Sequence, residues 1–169
     1  MSRPKFRPTK STKAILAEIV TFGFLLFTAY YIYDNYSSVP ELIEIPFNWP
    51  STNGEGFTHK SVLWQSFALN TFLILGIYVL SYFPWVYNYP TKITEENAPY
   101  NYSLGIQLFR NLNVVLSYLC FMMIFSTIQH AFGYTNTFYK HPTFISLALI
   151  FIIIGISIFK MIKGSKALG

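Results

Sequence analysis

Four stretches of almost unbroken apolar side chains run along the chain, separated by polar segments of unequal length. The first covers about residues 14–33 with Glu18 as its one charge, and the others cover about 62–83, 112–133 and 143–159. None shows the period-two alternation of a half-buried strand, so helices are predicted. Each is close to the roughly 20 residues that cross a hydrocarbon core of about 30 Å at 1.5 Å per residue. Lipid offers no hydrogen bonds to the backbone, which leaves helices or closed barrels as the structures able to cross. The expected fold is therefore all-α and integral to the membrane, four transmembrane helices in an up-down bundle. A basic leader (1–13) and a basic tail (162–169) flank this transmembrane domain, 14–161. A long irregular outer loop, 34–61, joins helices 1 and 2, and an inner loop, 84–111, joins helices 2 and 3.

Composition narrows the class further. Hydrophobic residues make up 53% of the 169 and charged residues 11%, against about 25% charged in soluble domains. A soluble enzyme and a disordered chain are excluded on that ground, and Cys120 has no second cysteine with which to build a disulfide scaffold. The first stretch is not read as a cleaved signal. It is longer than a signal core, contains Glu18, and ends in Tyr30-Tyr31-Ile32-Tyr33, which offers no small-residue cleavage pattern.

Charge sets the expected orientation. Of 12 basic residues, all but Lys60 and Lys140 fall in the leader, the inner loop or the tail, with Lys160 just ahead of the tail. By the positive-inside rule both termini are expected in the cytoplasm. The net charge of +5 is then a rim around membrane spans, and no nucleic-acid partner is expected.

The two long loops carry the candidate binding residues. In the outer loop, Val39-Pro40, Ile45-Pro46, Trp49-Pro50 and Asn53-Gly54 favour extended pieces and turns over helix. Glu41, Glu44, Phe47, Asn48, Trp49, Glu55 and Lys60 form an acidic, aromatic surface suited to a cap or to an external ligand or partner. In the inner loop, Pro84 and Pro90 end the second span. Thr94 or Asn97 is expected to cap a new helix, with Glu95 and Glu96 near its positive end and Pro99 in its first turn. That stretch is expected to lie at the interface as it runs into the third span, with Arg110 anchored among headgroups.

Tyr89-Pro90-Thr91-Lys92-Ile93-Thr94-Glu95-Glu96-Asn97-Ala98, followed by Tyr102, Leu108, Arg110 and Leu112-Asn113, resembles the inner-loop motif of SdpI-like bacterial membrane proteins. Glu44-Ile45-Pro46-Phe47-Asn48, Asn53-Gly54-Glu55-Gly56-Phe57 and Lys60-Ser61 resemble that family's outer loop, without its histidine before Phe-Asn and its aspartate after Gly-Glu. The resemblance implies a multi-pass protein of the bacterial inner membrane. Some such relatives give immunity to a secreted toxin and take part in signalling, so an extracellular peptide is an implied ligand. It brings no catalytic residues.

Within the spans, Glu18, Asn70 and His130 are the polar positions that invite a chemical role. Glu18 lies about one turn inside the first span, where it can reach the interface near Lys13, and a structural role is favoured over proton or ion chemistry. Asn70, Gln65, Asn113, Ser126 and Gln129 read as hydrogen-bond links between helices. Gly23, Gly76 and Gly155 read as points of close helix packing. The histidines match no ligand spacing, Cys120 has no cationic neighbour in sequence, and no phosphate loop or hydrolase motif is present. No enzyme activity, cofactor or metal is expected. The favoured role is an accessory or structural subunit of a larger membrane complex, in contact with the bilayer and other membrane subunits. An SdpI-like immunity or signalling protein is the alternative, and a small transporter the weaker one.

Overall fold

A computed structural model describes residues 3–44, 56–134 and 140–167. Phe47, Asn48, Trp49 and Glu55 lie outside the described residues. Four helices carry the chain: α1 (Thr12–Asn35), α2 (Val62–Leu80), α3 (Ala98–Ala131) and α4 (Lys140–Ala167). All four are long and apolar enough to cross a membrane, α4 through Phe144–Ser165. Ser11 starts α1 by accepting the amide of Ala14 at 3.2 Å, which satisfies one of the donors a helix leaves unpaired at its first turn.

Side-chain contacts show that the helices alternate in direction. Tyr31 near the end of α1 meets Phe125 near the end of α3, so these two run parallel. Arg110, in the first half of α3, reaches Ser81 just beyond the end of α2 at 3.2 Å, so α2 runs the opposite way. Asn101 at the start of α3 donates to Ser165 at the end of α4 at 2.9 Å, so α4 is also antiparallel to α3. At the centre, α3 packs on α1, α2 and α4, whereas α1 and α2 touch more lightly.

The outer loop contains two short strands, β1 (Leu42–Glu44) and β2 (Phe57–His59), paired antiparallel with Ile43 opposite Thr58. The sequence suggested extended pieces there, and Ile43 shows why they settle into a hairpin. Its side chain is buried with Ile32, Val39, Leu63, Cys120, Ile124 and Ile128, so the hairpin lies over the ends of α1, α2 and α3. At the opposite, basic end a second cluster joins Tyr87, Tyr89, Ala98, Tyr102 and Met161.

Two expectations need correction. The third helix begins at Ala98, where Asn97 and Pro99 predict a helix start within the 84–111 stretch. Its first turns carry polar groups that a hydropathy reading assigns to an interface, but Asn101, Tyr102 and Arg110 are buried against the rest of the basic end. Arg110 is thus not among headgroups. The glycines expected to be packing points are not: a methyl group on Gly23, Gly76 or Gly155 would meet nothing within 4 Å. The close approaches fall at Gly105, beside Tyr87 and Tyr89, and at Gly164, beside Tyr100.

The polar links are divided. Asn113 donates to the Ile74 carbonyl of α2 at 3.2 Å, and Gln129 donates to the Tyr31 hydroxyl of α1 at 3.0 Å. Asn70 donates to Ser66 of its own helix at 2.9 Å, which satisfies its amide without joining two helices.

Candidate functional site

The structure gathers the chemistry-bearing residues at two ends of the bundle. At the basic end, Glu18 of α1 is ion-paired with Arg110 of α3. The arginine side chain is 1% exposed and that of Glu18 14% exposed. Lys10 of the leader reaches the same carboxylate, 3.1 Å from Oε1 and 3.2 Å from Oε2. A charge inside a low-dielectric span is costly unless paired, and the pair lets both ionise there. Two groups from α2 and its end complete the arginine's surroundings: Ser81 Oγ accepts from Nη2 at 3.2 Å, and the Tyr78 ring lies 4.7 Å beneath the guanidinium.

The leader is bound over this pair. Arg3 donates to the carbonyls of Trp85 and Tyr87. Pro4 accepts from the Tyr102 hydroxyl at 2.9 Å, and the Arg7 guanidinium stacks on the Tyr82 ring at 3.7 Å. Beneath it, Tyr87 donates to Leu80 at 3.0 Å and Tyr89 to Pro84 at 2.9 Å. Burial pushes both phenols well above their usual range, so they stay protonated as donors across the neutral range and hold the segment after α2 in place.

The motif residues Tyr89 to Asn97 thus have a structural use. Thr94 N–H donates to Asn97 Oδ1 at 3.0 Å, and Asn97 N–H donates back to Thr94 Oγ1 at 3.3 Å. This reciprocal pair closes the turn that starts α3, in the manner of a capping box. Thr94 and Asn97 therefore act together rather than as alternative caps. Asn97 also donates to the Lys92 carbonyl at 3.0 Å, and Thr91, next to Pro90, meets Ser165 of α4 at 3.1 Å. Glu95 and Glu96 occupy the turn just ahead of α3 and are exposed. Replacing Asn97 with Ala is expected to cost about 1 kcal/mol. Thermal unfolding in detergent measures this, and Asn97→Asp, which keeps the acceptor, should recover part of the loss.

At the other end, Glu41 precedes β1 and Glu44 ends it, and both meet histidines. His130, in the last turn of α3, lies 3.3 Å from Glu44, and His59 lies 2.9 Å from Glu41. Lys60 Nζ is 3.0 Å from Glu41 and sits 5.0 Å from the Tyr36 ring centroid. The Lys60 hydrogen bond, with the nearby Lys60 and His59 charges, holds the Glu41 carboxyl below the usual carboxylate range. A lowered acid stabilises the hairpin above its unfolded value, and that contribution disappears as pH falls through the lowered one. Protection of the Leu42–Glu44 amides from exchange, taken relative to their intrinsic rates, is therefore expected to fall on acidification below the ordinary glutamate range. Glu41→Gln should abolish that part of the pH response.

Sequence reasoning singled out Glu18 and Arg110 separately but missed their pairing. It also missed Lys10, Arg7 and Ser81. The available signal was the placement of Glu18 and Arg110, both expected towards the basic side of the membrane. Among the described residues no cluster of three histidine, cysteine or acidic side chains is placed to hold a metal ion. The arrangement chiefly neutralises charge inside the bundle and ties leader, α1, α2 and α3 into one unit.

Four apolar helices joined in this way define a multi-pass membrane protein. No family model matches the sequence, and no curated protein or solved structure matches it either.

Proposed function

We propose that the chain is a non-enzymatic subunit of a larger membrane assembly, acting through helix contacts in the bilayer. The observation that carries this reading is the position of α4. Its substantial helix contacts among the described residues are with α3 alone, and only 11% of its apolar window is buried. Ser146 and Met161 are buried, whereas Phe144, Ile145, Phe151, Ile152, Ile156 and Phe159 are exposed. At 100° per residue these positions, together with the exposed Leu147 and Leu149, cover more than half the helix circumference, leaving both flanks of the α3–α4 contact open to another helix.

An open apolar groove on α1 supports the same reading. It is lined by Val20, Gly23, Phe24 and Phe27 and has a volume of about 240 Å³. Small residues beside aromatic walls allow close approach of a partner helix. Native-nanodisc extraction followed by mass measurement tests the subunit role. A stoichiometric second polypeptide supports it, and a lone chain recovered from its native membrane overturns it.

The hairpin favours a second reading, an SdpI-like immunity or signalling role. With Ile43 turned inward, the outer face presents Leu42, Glu44, Phe57 and His59, all exposed. Such a surface, apolar and acidic, suits a cationic amphipathic peptide. Deleting the gene and challenging cells with self-produced antimicrobial peptides tests this role, and unchanged survival removes it. Both readings place the termini in the cytoplasm of a bacterial cell, on the strength of the basic residues and the motif resemblance. Reporters fused to the two ends would overturn that orientation by signalling from outside.

A further inference from the structure

The leader and α3 enclose a small cleft lined by Arg7, Lys10, Ser11, Ser103 and Gln107, among others, with room for about 10 Å³ of water-sized occupant. Three cations sit at or next to it: Arg7, Lys10 and Arg110. Among the described residues, Glu18 is the acid in ion-pair contact with them, and its carboxylate is already shared between Lys10 and Arg110. Arg7 has no such partner among the described residues. Its Nε and Nη2 are buried and make no hydrogen bond, while the face of its guanidinium lies on Tyr82. Nε and Nη2 form the edge through which arginine grips two oxygens of a phosphate or carboxylate at once. Buried cations are ordinarily neutralised, and this cluster carries more positive charge than Glu18 can offset.

The cleft lies beside Ser11 and Ala14, where the apolar run of α1 begins, the end of a span that lipid headgroups surround. The geometry points to a binding site for the phosphodiester of an anionic phospholipid, with one phosphate oxygen in the cleft. The Arg7 edge and the Lys10 ammonium hold the group. A space for a single water also fits one phosphate oxygen, and the rest of the headgroup stays at the mouth, where the Lys10 side chain is 37% exposed. The site does not depend on whether the chain is a subunit or an immunity protein.

Native mass spectrometry of the full chain in detergent, titrated with dioleoylphosphatidylglycerol, dioleoylphosphatidylcholine and inorganic phosphate, tests it. The wild type is expected to retain phosphatidylglycerol at least about tenfold better than phosphatidylcholine, whose choline ammonium the surplus positive charge repels. Arg7→Gln should weaken phosphatidylglycerol retention about tenfold or more, since a charge-assisted hydrogen bond to the phosphate is worth that much. Lys5→Gln, which removes an exposed leader charge outside the cleft, should keep it. If Arg7→Gln does not fold, Arg7→Lys decides, because it keeps the charge and removes the two-pronged edge; several-fold weaker retention is expected. Unchanged lipid retention in the Arg7 variant that folds overturns the site. Equal binding of phosphatidylcholine does so too. Displacement of the lipid by equimolar inorganic phosphate would assign the cleft to a free anion and overturn the lipid.

Discussion

Glu18→Gln is expected to lower stability by about 3–5 kcal/mol, the cost of leaving a buried charge without its partner. Arg110 has almost no solvent contact, and neither Ser81 nor the Tyr78 ring carries a formal charge to replace the carboxylate. The reverse change is milder. Arg110→Met leaves Glu18 facing Lys10, so about 1–3 kcal/mol is expected, and Lys10→Gln, at a half-exposed position, about 0–1 kcal/mol. The order of the three losses is the sharper test, because it follows from which charge is left stranded. Thermal or denaturant unfolding in one detergent reads it. A double variant, Glu18→Leu with Arg110→Met, is expected to recover most of the loss, since replacing a buried ion pair by apolar groups is often neutral. If Glu18→Gln costs no more than Lys10→Gln, the carboxylate is not the counter-charge of Arg110.

The same pair marks where sequence reading stops. Continuous apolar runs reveal four spans because lipid demands uninterrupted apolar surface over a fixed length, and α2 begins at the predicted Val62. The beginning of α3 was less legible. Asn101, Tyr102 and Arg110 lower local hydropathy, and hydropathy cannot distinguish a polar group facing headgroups from one paired inside protein. Asn97, Thr94 and Pro99 did signal the helix start, because capping is local chemistry. The Glu18–Arg110 contact is not local, and nothing in either segment names the other. The hairpin falls between these cases: its prolines and glycine announce turns, but its register depends on Ile43 finding the pocket formed by three helix ends.

Glycine substitutions separate true close contacts from apparent ones, with the largest loss expected at Gly105. A methyl group there would lie 2.8 Å from the Tyr89 hydroxyl and 2.9 Å from the Tyr87 ring. Neither ring can easily retreat. Tyr89 is held by its bond to Pro84, and Tyr87 by its bond to Leu80 and by the Phe109 ring, whose centroid is 4.6 Å away. Overpacking a well-filled site costs about 1–3 kcal/mol, and the better helix propensity of Ala returns only about 0.5–1 kcal/mol, so Gly105→Ala should be a net loss. Gly164→Ala presents a closer nominal contact, to the Tyr100 ring, yet a smaller effect is expected. The atoms met there are the far end of a ring that is 37% exposed, and the ring can swing away, giving up one hydrogen bond to the Lys160 carbonyl. Gly23→Ala and Gly155→Ala meet nothing and should not lower the melting temperature. If Gly164→Ala proves the more damaging of the two close contacts, Tyr100 is fixed in place and the contact between the starts of α3 and the end of α4 is tighter than its exposure implies.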